Sequence, residues 1–140
     1  MSSYRQQTLI EAPVESVWRQ VGDPNTYPSW AGDVVEVTEL DELKVGAQFR
    51  QKTKTPLGTS ETPFVVEQLD DMREIQVRCL LSGYYLRWLL TEAGDDTFAE
   101  VEVGMDPKRL HYRAIDVVIG KRWYRGVVDD MLDRLRTLVR

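Results

Sequence analysis

Apolar residues along this chain change their spacing twice, from helical to alternating and back. Val14, Val17, Trp18 and Val21 recur at i, i+3, i+4 and i+7, the stripe of an amphipathic helix that Ala12-Pro13 opens and Gly22 ends. Asp23 can cap a second helix through its carboxylate, and Pro28 disfavours helical backbone at Tyr27, which predicts a helix of about one turn. From Val34 to Met105 the period falls to two, the signature of strands with one wet face. Val35 and Val37 alternate first, then Ala47 and Phe49, then Ile75, Val77, Cys79 and Leu81. Leu86, Trp88 and Leu90 follow, and Ala99, Val101, Val103 and Met105 close the series. Arg78 and Arg87 fall on the opposite parity and should point outward. Residues 63–69 form one more strand whose facing stays open, because Phe64 and Val66 compete with Val65 and Leu69.

Pro56-Leu57-Gly58, Asp70-Asp71, Ser82-Gly83 and Gly94-Asp95-Asp96 have turn composition and lie between the strands, so short links and antiparallel pairing are expected. After Asp106-Pro107, a third helix-start signal, the spacing becomes helical again. Tyr124, Val128, Met131, Leu135 and Leu138 line one side, widened by Val127, Leu132 and Val139, against a polar face of Asp129, Asp130, Asp133, Arg134 and Arg136. Gly120 and Gly126 are the weak points where so long a helix can bend or break. The predicted order is one strand, two helices, about six antiparallel strands and a long final helix, an α+β arrangement. Only that last helix is long enough to cover the apolar face of the sheet.

Composition narrows what this fold can do. At 140 residues and 42% hydrophobic content, residues 1–140 suffice for one domain that buries its own core. A net charge of −5 opposes a nucleic-acid partner, since binding to phosphate backbones depends on Lys and Arg displacing counterions. Arg134, Arg136 and Arg140 cluster near the end but are offset by Asp129, Asp130 and Asp133. No apolar run is long enough for an integral membrane segment, and Met1 to Arg5 lacks signal-peptide character. A lone Cys79 precludes an intrachain disulfide, and a cytoplasmic location is expected.

Residues 10 to 37 carry a more specific message. Ile10-Glu11-Ala12-Pro13-Val14-Glu15-Ser16-Val17-Trp18, then Asp23-Pro24, Tyr27-Pro28-Ser29-Trp30 and Val34-Val35-Glu36-Val37, resemble the opening of the polyketide cyclase/dehydrase family of the START/Bet v 1-like superfamily. The similarity continues through Val45-Gly46, the Trp88 strand with its Gly94 turn, and the leucine-rich final helix. The resemblance implies the helix-grip fold, a curved antiparallel sheet around a long C-terminal helix, with a ligand cavity between them. Members of the superfamily include aromatic polyketide cyclases, lipid and hormone carriers and co-chaperone-like proteins, so the fold does not choose among functions.

Candidate chemistry is sparse. With one His and one Cys no metal site is expected, and no Gly-rich phosphate loop follows a strand, so no cofactor is expected either. His111 is a candidate general base, with a plain polar position in the first turns of the last helix as the alternative. Cys79 lies on the apolar parity and reads as a small buried hydrophobe. Asp70-Asp71 and Asp95-Asp96 read as turn formers. Trp30, Phe49, Trp88 and Tyr124 form an aromatic wall, and with Cys79, Leu81, Val101, Val103, Val128 and Met131 they are the expected ligand-binding set. The leading expectation is a binder of a small hydrophobic molecule such as a lipid, polyketide or isoprenoid. An aromatase/cyclase is the alternative and would need Tyr27, His111 or Tyr124 in the pocket. A co-chaperone-like interaction module is the third reading and would show an apolar patch on the outer sheet face. A monomer or a homodimer is expected, with Leu80, Leu89 and Phe98 as the apolar residues of the wet parity that could form a dimer contact.

Overall fold

The structure, a computed structural model, describes residues 2–106 and 110–139, and at 2, 110, 111, 118 and 119 the backbone only. Strand β1 (Ser2–Ile10) leads into helix α1 (Val14–Val21) and a 3-10 helix (Pro24–Ser29). Then come β2 (Val34–Thr38), β3 (Gln48–Thr55), β4 (Gly58–Asp70), β5 (Glu74–Cys79), β6 (Tyr84–Ala93) and β7 (Asp96–Met105), and finally α2 (Leu110–Val139). The strands form one antiparallel sheet in the order β1-β7-β6-β5-β4-β3-β2. Six strands make a meander from β2 to β7, and β1 crosses over to pair with β7. The sheet closes on α2, which makes the fold a helix grip. The expected helix start at Pro107 lies outside the described residues.

Alternation fixes the inner face wherever pairing is regular. Ile75, Val77 and Cys79 on β5, Leu86, Trp88 and Leu90 on β6, and Ala99, Val101, Val103 and Met105 on β7 are all buried. Two bulges change the parity elsewhere. On β2, Val34 pairs with Thr53 and Glu36 with Lys52, leaving Val35 as the extra residue. Val34 and Val37 therefore share the inner face and Val35 is exposed, in place of the expected Val35/Val37 pair. On β4 the register shifts between Val66 and Gln68, so Phe64 and Val66 before the shift and Leu69 after it all face inward. The competing positions in this strand are thus inner residues on either side of one bulge.

Asp23 caps the 3-10 helix as expected, its Oδ1 accepting the Asn25 N–H at 3.0 Å. The helix continues through Pro28 instead of stopping after one turn. Its two turns abut, with the Thr26 N–H on the Asp23 carbonyl (3.0 Å) and the Trp30 N–H on the Tyr27 carbonyl (3.1 Å). Pro28 occupies the first central position of the second turn, where no N–H is required.

The outer face is a lattice of charge. Arg87 joins Glu74 on β5 (2.7 Å) and Glu100 on β7 (3.2 Å), and Arg78 joins Glu67 on β4 (2.8 Å). Tyr85 donates to Glu102 at 2.6 Å. Both arginines point outward, as their parity requires.

Candidate functional site

The position of α2 on the sheet determines where space remains. Tyr124, Val128, Met131 and Leu135 are fully buried and press on the central rows of the inner face. At Gly120 the backbone takes φ 61° and ψ −172°, a conformation essentially confined to glycine, and the helix breaks there. Gly126 carries no such break. N-terminal to Gly120 the helix takes a different course, and under it, at one end of the sheet, lies a cavity of about 230 Å³.

The floor is the terminal row of the inner face: Phe64, Cys79, Tyr84 and Met105. Ile115 and Tyr112 from the first part of α2 and Trp123 from the second cover it. The β3–β4 hairpin supplies a hydroxyl-rich side with Thr53, Thr55, Thr59, Ser60 and Thr62. Two of these hydroxyls have fixed partners. Thr53 accepts from Gln51 Nε2 at 2.9 Å, and Thr55 locks the hairpin by donating to the Gly58 carbonyl at 2.8 Å. The rings are mutually braced, since Tyr84 packs on Phe64 at 6.4 Å, on Trp123 at 6.0 Å and on Tyr124 at 6.5 Å between centroids. Burial and then the nearby Asp33 charge push the Tyr84 hydroxyl well above its usual range, so it acts as a neutral hydrogen-bonding group.

The expected ligand-binding set divides between this cavity and the packed core. Cys79 lies in the cavity floor, and Tyr124 braces two of its walls without lining it. Phe49 stands behind the floor, stacked on Phe64 at 5.6 Å. Trp30, Trp88, Val101, Val103, Val128 and Met131 lie in close-packed rows farther along the sheet, with Trp30 edge-on to Trp88 at 5.9 Å. Leu81 is not on the inner face. Strand β5 ends at Cys79, whose carbonyl accepts the Gly83 N–H at 3.1 Å, and the resulting turn carries Leu81 out to 36% exposure.

The candidate acid/base residues are engaged elsewhere or undescribed. The Tyr27 hydroxyl donates to the Val21 carbonyl at 2.7 Å, which ties the 3-10 helix to the end of α1. Burial, then the Asp23 charge, raises its pKa far above the ordinary value. The Tyr124 hydroxyl donates to Asp116 Oδ1 at 2.8 Å. The His111 side chain lies outside the described residues. Among the described residues no group of His, Cys, Asp or Glu is placed to hold a metal.

Sequence reasoning missed Tyr84, Met105, Ile115, Trp123 and Asp33. For Tyr84 a signal existed, because it shares the parity of Leu86 and Trp88. Met105 likewise ends the alternating set of β7, whereas Ile115 and Trp123 depend on where α2 breaks and Asp33 on contacts with distant elements, which spacing alone does not locate.

A START-type helix grip with an internal cavity is thus the class of protein that fold and site define. Across residues 1–140 the chain matches the family described as polyketide cyclase/dehydrase and lipid transport, and it belongs to that family. Among solved structures it is similar to protein TTHA0849 of Thermus thermophilus, at 15% identity and TM-score 0.76, with 98% of this chain and 96% of that one covered. Protein BH1534 of Bacillus halodurans superposes with TM-score 0.73 at 20% identity over 100% of both chains. A START superfamily protein of Mycobacterium smegmatis gives 0.70 at 16% identity, covering 99% of this chain and 94% of that one. These likenesses concern the fold. No curated protein matches the chain in sequence.

Proposed function

We propose that this protein binds a small hydrophobic molecule, of lipid, polyketide or isoprenoid character, in the cavity between the sheet end and the first part of α2. The observation that carries this reading is the void itself. An aromatic and aliphatic wall of Phe64, Tyr84, Met105, Ile115 and Trp123 borders about 230 Å³ of unfilled, partly open space where side chains could have packed. That volume lies just under the usual range for ligand pockets, roughly 300 Å³ and upward, and suits a compact guest.

Noncatalytic binding is favoured over polyketide cyclisation. Aldol closure needs a base and a donor at the substrate carbonyl, and the hydroxyls of Tyr27 and Tyr124 are spent on protein acceptors outside the cavity. A co-chaperone-like role has less support, because the Arg78 and Arg87 ion pairs occupy the middle of the outer sheet face and its exposed apolar pair, Leu9 and Phe98, sits toward the β1 edge. No described helix is long and apolar enough to cross a membrane, and we place the protein in the cytoplasm, without nucleic-acid partners, as a monomer or homodimer.

The environment-sensitive probe N-phenyl-1-naphthylamine tests this reading. Saturable fluorescence enhancement is expected with the native protein, and Ile115→Trp, which fills the cavity from the helix side, should weaken it about tenfold or more. Absence of saturable binding in the native protein, or equal binding by a folded Ile115→Trp variant, would overturn it.

A further inference from the structure

We propose that the guest of this cavity carries a neutral hydroxyl and that the carboxylate of Asp33 receives it. This inference rests on the cavity being a ligand site and adds the chemical class of the ligand's polar end.

Asp33 lies between the 3-10 helix and β2, and its Oδ1 is closed off from solvent with no hydrogen-bond partner among the described residues. Buried acceptors are nearly always satisfied, so an unsatisfied one beside a cavity calls for a partner from outside the chain, an ordered water or a ligand donor. The Asp33 carbonyl is held by the Lys54 N–H of β3 at 2.7 Å. On the other side Gly32 is pressed against α2 so closely that a Cβ there would stand 2.4 Å from Asp130 Oδ2. The backbone at Asp33 is thus held on the β3 side and closely approached by the Asp130 side chain of α2 at Gly32.

Asp33 also stands within reach of the cavity. It lines a second depression of about 450 Å³, and Thr55 and Trp123 line both spaces. The two spaces meet at Thr55 and Trp123, so a molecule whose apolar body sits on Tyr84 and Met105 and which extends past those residues would approach Asp33. The Tyr84 hydroxyl on the cavity side senses the Asp33 charge, in keeping with that proximity.

The charges around the depression select the donor. Lys54 and Arg122 line it together with Asp33 and Asp130, and Asp130 is held by Arg134 at 3.0 Å. A carboxylate ligand would face Asp33 and Asp130, and because Lys54 and Arg122 already balance those two charges an ammonium would add an uncompensated one. A hydroxyl donates to the carboxylate without adding charge, and hydrogen bonds to an ionised acceptor are about twice as strong as neutral ones.

Calorimetric titration at neutral pH with 2-naphthol, naphthalene and 2-naphthoate tests this. 2-Naphthol should bind about tenfold more tightly than either of the others. Asp33→Ala should bring 2-naphthol to the affinity of naphthalene while leaving naphthalene unchanged. Should Asp33→Ala not fold, Asp33→Asn keeps the shape without the charge and should lower the preference about threefold. Saturable naphthalene binding with no preference for 2-naphthol, or a preference that survives in the variant, overturns the role of Asp33 and leaves the cavity reading intact. Binding of none of the three overturns both.

Discussion

The Tyr124 hydroxyl donates to Asp116 Oδ1 at 2.8 Å across the break at Gly120, joining the two parts of α2 by a buried hydrogen bond. The backbone leaves the helical region at Gly120, so this side-chain contact helps to fix the angle at which the first part leaves the second. Burial comes first, and the Asp116 contact next, in raising the Tyr124 pKa far above its ordinary value, so the donor keeps its proton throughout the physiological range.

Tyr124→Phe should therefore lower unfolding stability by about 0.5–1.5 kcal/mol, the usual net contribution of one hydrogen bond. Urea denaturation checks the magnitude. A variant as stable as the native protein would mean that the contact contributes nothing to holding α2 together.

The two glycines of α2 should respond in opposite directions. Neither has an atom within 4 Å of the site a Cβ would occupy, so crowding plays no part in the comparison. Gly120→Ala forces an L side chain into φ 61° and should cost about 1–3 kcal/mol, or else straighten the helix and reshape the cavity roof. Gly126→Ala lies in helical backbone and should stabilise by about 0.5–1 kcal/mol. Thermal unfolding of the pair, with probe binding as the readout of cavity shape, separates the two effects. Equal shifts would show that the Gly120 conformation is not required.

Asp33 should impose a pH-dependent cost. Burial, chiefly, and repulsion from Asp130 raise its carboxyl from 3.8 to about 6, partly offset by a hydrogen bond with its own backbone. Below pH 3.8 both folded and unfolded chains hold the proton and nothing is lost. As pH rises toward 6 the unfolded chain ionises first, so the folded state is progressively penalised, by up to about 3 kcal/mol above that range. Asp33→Asn should thus gain stability relative to the native protein as pH moves from 4 to 7, with little difference at pH 4. Urea midpoints of both proteins across that interval test it, and a gap independent of pH would exclude an ionised Asp33 as its source.

How far the sequence reveals this molecule depends on whether a feature is local. Ile75, Val77 and Cys79, or Ala99, Val101 and Val103, declare their strands and inner faces, because pleating alone sets that alternation. The helix-grip order was legible for the same reason, together with the family resemblance of residues 10–37. Local reading failed where one extra residue reverses parity, at Val35 and between Val66 and Gln68. The cavity was legible as a class of feature, but its place was not. Trp30 and Trp88 are as apolar and inward as Phe64 and Tyr84, and only the course of α2 after Gly120 decides which row is covered and which is left open. Asp33 carries no signal at all in the sequence, because its isolation comes from β3 and α2, elements distant along the chain.

The crossover of β1 has a consequence for how the chain assembles. Ser2 pairs with Met105 and Ile10 with Thr97, whereas the meander from β2 to β7 joins sequence neighbours. During synthesis from the N-terminus, the first strand must wait, unpartnered, until the last has been made. Closure of that edge, at the expense of a long loop, is the non-local step expected to set the folding rate. A chain shortened by its first ten residues would leave β7 with a bare edge, open to strand exchange with another molecule.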